Sequence, residues 1–258
     1  MTIPSIAITE PTGPDGAPLL VLGPSLGTST ILWDAAAATL RETHRVAAWD
    51  LPGHGHSPAS RSGFTVGEIA LGLLDAISGL GEQRFRYAGV SLGGAVGLEL
   101  MLAAPDRVTA AAAICSGAKI GTTDGWLERA ASVRVQGTAS LVVGSAERWF
   151  APGSIERSPD ISGRLLHALR DADDESYAHC AEALATYDVR GKLPNIATPV
   201  LAIWGEHDGV TPEASAREIA EGVQHGSVER VADAAHLAPA EQPAVVASLL
   251  TRFFEGAP

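Results

Sequence analysis

Apolar and polar positions fall into two regimes along the chain. Up to about residue 118, short continuous apolar runs alternate with longer stretches in which apolar residues recur every three or four positions. The runs at 19–22, 45–49, 85–90 and 109–115 predict strands, and residues 1–10 predict an edge strand. Helical spacing predicts helices over about 33–42, 65–80 and 92–104, the last with Leu92, Val96, Leu100 and Ala103 near one face. Leu80-Gly81 reads as a helix stop. The apolar run at 110–114 suits a strand buried on both faces, as in a parallel sheet. Strand–helix alternation implies that helices wrap such a sheet.

Between about 119 and 192 the rhythm changes. Helical stretches at 124–135, 160–170 and 174–186 dominate, with one brief strand-like run at Leu141-Val142-Val143. The alternation then resumes with a strand at 198–204, a helix at 212–222, a strand at 228–231 and an amphipathic helix at 243–255. The expected architecture is α/β: a mostly parallel sheet flanked by helices, formed by residues 1–118 and 193–258. A helical cap, residues 119–192, is expected over the carboxyl face of the sheet, where it would shape a pocket and exclude water.

Composition narrows the function. The 258 residues are 46 % hydrophobic and 19 % charged, which fits a folded globular chain and excludes a disordered one. The net charge is −12 with no basic stripe, which argues against nucleic acid as a partner. An anionic substrate would need local positive charge in its site. No apolar run is long enough for a membrane span. The first residues lack a basic stretch followed by an apolar one, and the two cysteines, Cys115 and Cys180, have no metal-site spacing. A reducing cytoplasm is therefore the expected location. A homo-oligomer is left open.

One motif organises the chemistry. Gly89-Val90-Ser91-Leu92-Gly93 lies between a strand and a helix, the pattern of a nucleophile elbow. A serine needs a base, and the base needs a group to hold its tautomer. In this architecture the order is serine, acid, histidine. Asp208 follows a late strand and His236 follows the last one, so both reach the sheet edge where Ser91 sits. Ser91 is the expected nucleophile, His236 the base and Asp208 its orienter. His207 and Asp233 are the competitors, but His207 adjoins Asp208 in sequence and Asp233 lies only three residues before His236 on the same loop. The oxyanion hole is expected from two backbone N–H groups, those of Leu92 and of Leu26 in the loop after the first buried strand. His54 and His56 form a His-x-His pair without further zinc ligands in view.

These motifs, with Ser25-Leu26-Gly27-Thr28, Trp49-Asp50 and Gly53-His54-Gly55-His56-Ser57, and Gly205-Glu206-His207-Asp208, resemble the α/β-hydrolases over nearly the whole chain. Within them the chain most resembles 3-oxoadipate enol-lactonases of the β-ketoadipate pathway. The resemblance rests on Pro24-Ser25-Leu26-Gly27-Thr28 followed by Trp33-Asp34, on the 116–121 segment leading to Trp126 and then Arg148-Trp149-Phe150, and on the 177–188 segment. Pro24 stands where that family often has Asn.

The resemblance implies an α/β-hydrolase fold and a small, anionic, carboxylate-bearing lactone as substrate. No cofactor and no metal are implied. Arg148 is the first candidate for the substrate carboxylate, with Arg134 second. Trp126, Trp149 and Phe150 are expected to line the pocket. A general carboxylesterase, a carbon–carbon bond hydrolase or a cofactor-free perhydrolase or haloperoxidase could run on the same triad. A non-catalytic ligand-binding protein on the hydrolase fold is the alternative outside catalysis.

Overall fold

The computed structural model of the chain describes residues 2–256. Among them six strands form one parallel sheet: β1 (Leu19–Gly23), β2 (Arg45–Ala48), β3 (Phe85–Val90), β4 (Val108–Ile114), β5 (Val200–Gly205) and β6 (Gly226–Val231). Their spatial order is β2-β1-β3-β4-β5-β6, with every neighbouring pair parallel. The chain leaves β1 for the edge and returns to β3. The order therefore reverses between β1 and β3, and the crevice beyond the carboxyl ends of those two strands is where open α/β sheets place ligands.

Helices α1 (Asp34–Leu40), α2 (Val66–Gly79) and α3 (Leu92–Ala103) connect the first four strands. Between β4 and β5 lie α4 (Thr123–Gln136), α5 (Val142–Trp149), α6 (Ser154–Arg157), α7 (Pro159–Asp171) and α8 (Asp174–Thr186), which we call the cap. The neck of the cap is closed by the Val189 N–H donating to Ala118 O at 2.9 Å. After β5 come α9 (Glu213–Gly222), α10 (Ala238–Glu241) and α11 (Pro243–Gly256).

The central strands are buried on both faces because helices cover both. β4 reads Val-Thr-Ala-Ala-Ala-Ala-Ile, and its short side chains let helices approach closely. α3 carries Gly93, Gly94 and Gly97 for the same reason. A Cβ on Gly97 would lie 2.7 Å from the Tyr87 ring. That ring is fully buried, and its hydroxyl donates to Gly93 O at 2.7 Å, locking β3 to the first turn of α3.

Two expectations fail. Residues 1–10 form no strand in the part described, and Met1 lies outside it. Only isolated antiparallel bridges appear, Ile8 with Trp49 and Thr12 with Val46. Pro4, Pro11 and Pro14 lack the N–H a ladder needs. Leu141-Val142-Val143 is not a strand either. Leu141 ends a 3₁₀ turn and Val142 opens α5, whose apolar residues pack on one side only. A three-residue apolar run has no period of its own, so its neighbours decide its state.

Candidate active site

Ser91 sits between β3 and α3 with φ 55° and ψ −115°, a conformation that costs a non-glycine residue about 1–3 kcal/mol. The surroundings enforce it. Ser91 N donates to Ile114 O at 2.9 Å, and Ser91 O accepts from Ala95 N at 3.0 Å and from the buried Ser116 hydroxyl at 2.7 Å. The flanking glycines are required by contact. A Cβ on Gly89 would lie 2.4 Å from the Gly93 carbonyl, and one on Gly93 would lie 2.4 Å from Pro24 O. Gly93 N donates to that same Pro24 O at 3.0 Å, which binds the elbow to the loop after β1.

Asp208 and His236 meet from two other loops, after β5 and β6. His236 Nδ1 lies 3.0 Å from Asp208 Oδ2, and both residues are buried. The Thr211 hydroxyl donates to Oδ2 at 2.7 Å, while Oδ1 accepts from Val210 N at 2.8 Å and Thr211 N at 3.1 Å. Burial opposes ionisation of Asp208. The His236 imidazole, the Thr211 hydroxyl and the Val210 N–H outweigh it and hold the carboxyl below its ordinary value. A carboxylate there accepts the Nδ1 proton and leaves the Nε2 lone pair free. His207 and Asp233, the competitors, are both exposed.

Ser91, His236 and Leu26 line one cavity of about 360 Å³ between the sheet edge and the cap. Leu92 opens α3, so its N–H has no intrahelical acceptor. Among the described residues the Leu26 N–H also has no backbone acceptor.

The cap wall of this cavity holds Trp126, Arg129, Arg148, Trp149 and Tyr177. The Arg129 guanidinium stacks over the Trp126 ring, 5.0 Å from its centroid. Arg148 is pushed down from its ordinary pKa by burial and by the charge of Arg129 beside it. Among the described residues neither arginine has a carboxylate within ion-pair distance. Arg129 is the pocket cation that sequence reasoning missed. Its signal was a position three residues after Trp126 on the same helix face.

Arg134 does not reach the cavity. It is clamped on the outside of the cap by Glu175, at 2.9 Å, and by Glu182. Those two carboxylates raise its pKa and leave it no charge to offer a substrate. Phe150 does not line the cavity either. The backbone turns extended there, at φ −117° and ψ 135°, and the ring packs edge-on against Trp149 from behind.

The histidine loop is fastened to the cap. The Glu241 carboxylate accepts from Ala235 N at 2.9 Å and from Ala151 N at 3.0 Å, and Leu237 N donates to Trp149 O at 3.2 Å. Metal chemistry finds little footing. His54 is buried with both ring nitrogens engaged by backbone, while His56 points outward. Glu206, His207 and Asp233 do cluster within 4.8 Å, but all three are exposed and none lines the cavity.

This geometry, a strained serine over a parallel sheet with a histidine–aspartate pair on the following loops, is that of the alpha/beta hydrolase family. The model of that family matches residues 20–249, and the chain belongs to it. The chain is 34 % identical over 244 residues to 3-oxoadipate enol-lactonase 2 of Acinetobacter baylyi, covering 94 % of this chain and 91 % of that one. It is 34 % identical to enol-lactonase 1 of the same organism, over 90 % of this chain and 86 % of that one. The crystal structure of the enol-lactonase from Burkholderia xenovorans superposes with a TM-score of 0.92 at 30 % identity, covering 97 % of this chain and 96 % of that one. The protein is a hydrolase of this ester-cleaving type. No helix among the described residues is long and apolar enough to cross a membrane.

Proposed function

We propose that the protein hydrolyses a small carboxylate-bearing lactone through an acyl-enzyme on Ser91, and that 3-oxoadipate enol-lactone, an intermediate of aromatic-ring degradation, is that substrate. One observation carries the substrate class. Arg129 and Arg148 face the cavity of Ser91 and His236 without carboxylate partners, in a chain of net charge −12. Two adjacent like charges left unneutralised in a half-buried site are stabilised by an anion, and guanidinium suits carboxylate.

Ser91 Oγ attacks the ring carbonyl while His236 Nε2 takes the hydroxyl proton. The Leu26 and Leu92 N–H groups hold the oxyanion. The ring C–O bond breaks, and the enol oxygen leaves with the proton from His236. An enol oxygen is more acidic than an alkoxide, so this step asks less of His236. His236 then activates a water that cleaves the acyl-enzyme. The released enol tautomerises to the ketone. Asp208 holds the histidine tautomer throughout.

The test is loss of the lactone's ultraviolet absorbance with wild type and Ser91→Ala side by side. We expect fast wild-type turnover and a loss of several orders of magnitude in the variant. Turnover of simple aryl esters without turnover of the lactone would overturn the substrate and leave the nucleophile standing.

A further inference from the structure

His54 is a buried imidazole that the reaction above does not use. Its surroundings fix its hydrogen bonding. Nδ1 lies 2.9 Å from Pro52 O, which can only accept, so Nδ1 carries the proton. Nε2 lies 3.2 Å from Gly27 N, which can only donate, so Nε2 accepts. Burial pushes the imidazole down to about 4, against the opposing pull of the Pro52 carbonyl and Asp173, so the ring is neutral at pH 7 and its lone pair is available.

Gly27 belongs to a turn. Thr28 N donates to Ser25 O at 3.0 Å, which makes Leu26 and Gly27 the two central residues. Gly27 has φ +82°, the value of the second central residue of a type II turn. Type I and type II turns differ by a flip of the peptide between those two residues. The N–H of that peptide is the one His54 accepts. The turn is braced from the other side by the Thr28 hydroxyl, which accepts from Ser25 N at 3.0 Å and donates to Ser25 O at 2.8 Å.

We propose that His54 is a positioning residue whose Nε2 lone pair anchors the Gly27 N–H and so holds in place the turn whose preceding peptide carries the Leu26 N–H. The proposal rests on the reading of Leu26 as an oxyanion donor. Such donors act at about 2.7–3.1 Å from the oxyanion, and displacement by about 1 Å forfeits much of their effect. A merely structural imidazole, filling space against the Tyr177 ring 6.0 Å away, would serve as well with either nitrogen unpaired.

Two substitutions separate these roles. In His54→Gln the side-chain oxygen reaches the place of Nε2 and accepts from Gly27. In His54→Asn the amide reaches only the place of Nδ1, keeping the Pro52 contact and losing Gly27. Both lose ring volume. With an activated ester such as p-nitrophenyl acetate, His54→Asn lowers kcat by about 10- to 100-fold with KM within about threefold of wild type. His54→Gln recovers most of that kcat, although both variants lose thermal stability to a similar degree. Equal kcat in the two variants, or a change confined to KM, would overturn the proposal. If both variants fail to fold, a through-bond NMR coupling between Gly27 ¹⁵N and His54 ¹⁵Nε2 in the wild type decides, and its absence counts against the role. Failure of Ser91→Ala to abolish ester turnover would instead remove the mechanism on which the proposal rests.

Discussion

Replacing Asp208 by Asn changes one oxygen for an NH₂ at nearly constant volume, and the contacts of the carboxylate dictate the result. Oδ1 takes the Val210 and Thr211 N–H groups, so the remaining amide oxygen must stay there. The NH₂ then faces His236 Nδ1, 3.0 Å away, and it can only donate. His236 must accept at Nδ1 and carry its proton on Nε2, where it can no longer take the proton of Ser91. Loss of one charge-assisted hydrogen bond alone would cost about 1.5–3 kcal/mol, roughly 10- to 100-fold in rate. The wrong tautomer costs more, about 10⁴-fold in kcat, or about 5.5 kcal/mol. The assay is p-nitrophenyl acetate turnover at pH 7, with thermal unfolding followed to show that the variant is folded. A folded Asp208→Asn enzyme slowed by less than about 100-fold would refute the tautomer argument.

Arg129→Met and Arg148→Met should each raise KM for a carboxylate-bearing lactone by about tenfold, the worth of one charge-assisted contact, and leave KM for a neutral aryl ester within about twofold. Equal losses on both substrates would show that the arginines act on the fold instead. Gly93→Ala places a Cβ 2.4 Å from Pro24 O with backbone on both sides. It should cost about 3 kcal/mol or more, read as a lowered urea midpoint or loss of soluble protein. The depressed pKa of Asp208 makes stability depend on acid. The unfolded chain takes up this proton first, so the contribution is complete above the ordinary value of 3.8 and is lost as pH falls through the lower folded value. Urea midpoints measured from about pH 6 to about pH 3 should therefore fall less steeply in Asp208→Asn than in wild type.

The elbow was legible because its chemistry is local. Gly89, Ser91 and Gly93 are set by contacts within a few residues, and strand–helix alternation around them defines the sheet edge. Asp208 and His236 were legible for a related reason. Each lies on a short loop directly after a strand, and parallel strands bring such loops to one edge. The cap resisted, because there the side chains answer to tertiary neighbours. Arg134 and Arg129 share α4, but five residues rotate a helix by about 140° beyond a full turn, so one faces the cavity and the other the carboxylates of α8. Nothing local marks which is which. Phe150 failed similarly, since a single change of backbone direction after Trp149 turned its ring away.

The bonds that fasten the histidine loop to the cap limit how the cap can move. Glu241 and the Leu237 N–H tie the Trp149–Ala151 segment to the loop that carries His236, and Arg164 on α7 pairs with Asp34 on α1 at 2.8 Å. A cap swinging open as one plate would drag His236 with it and part it from Asp208. Among the described residues the opposite wall has no such hydrogen bond to the loops that carry Asp208 and His236, and its Gly121, Thr122 and Gly125 line the cavity while exposed to solvent. The solvent-facing rim of the cavity therefore lies at the start of α4, while the α5 side is the wall bonded to the loop that carries His236.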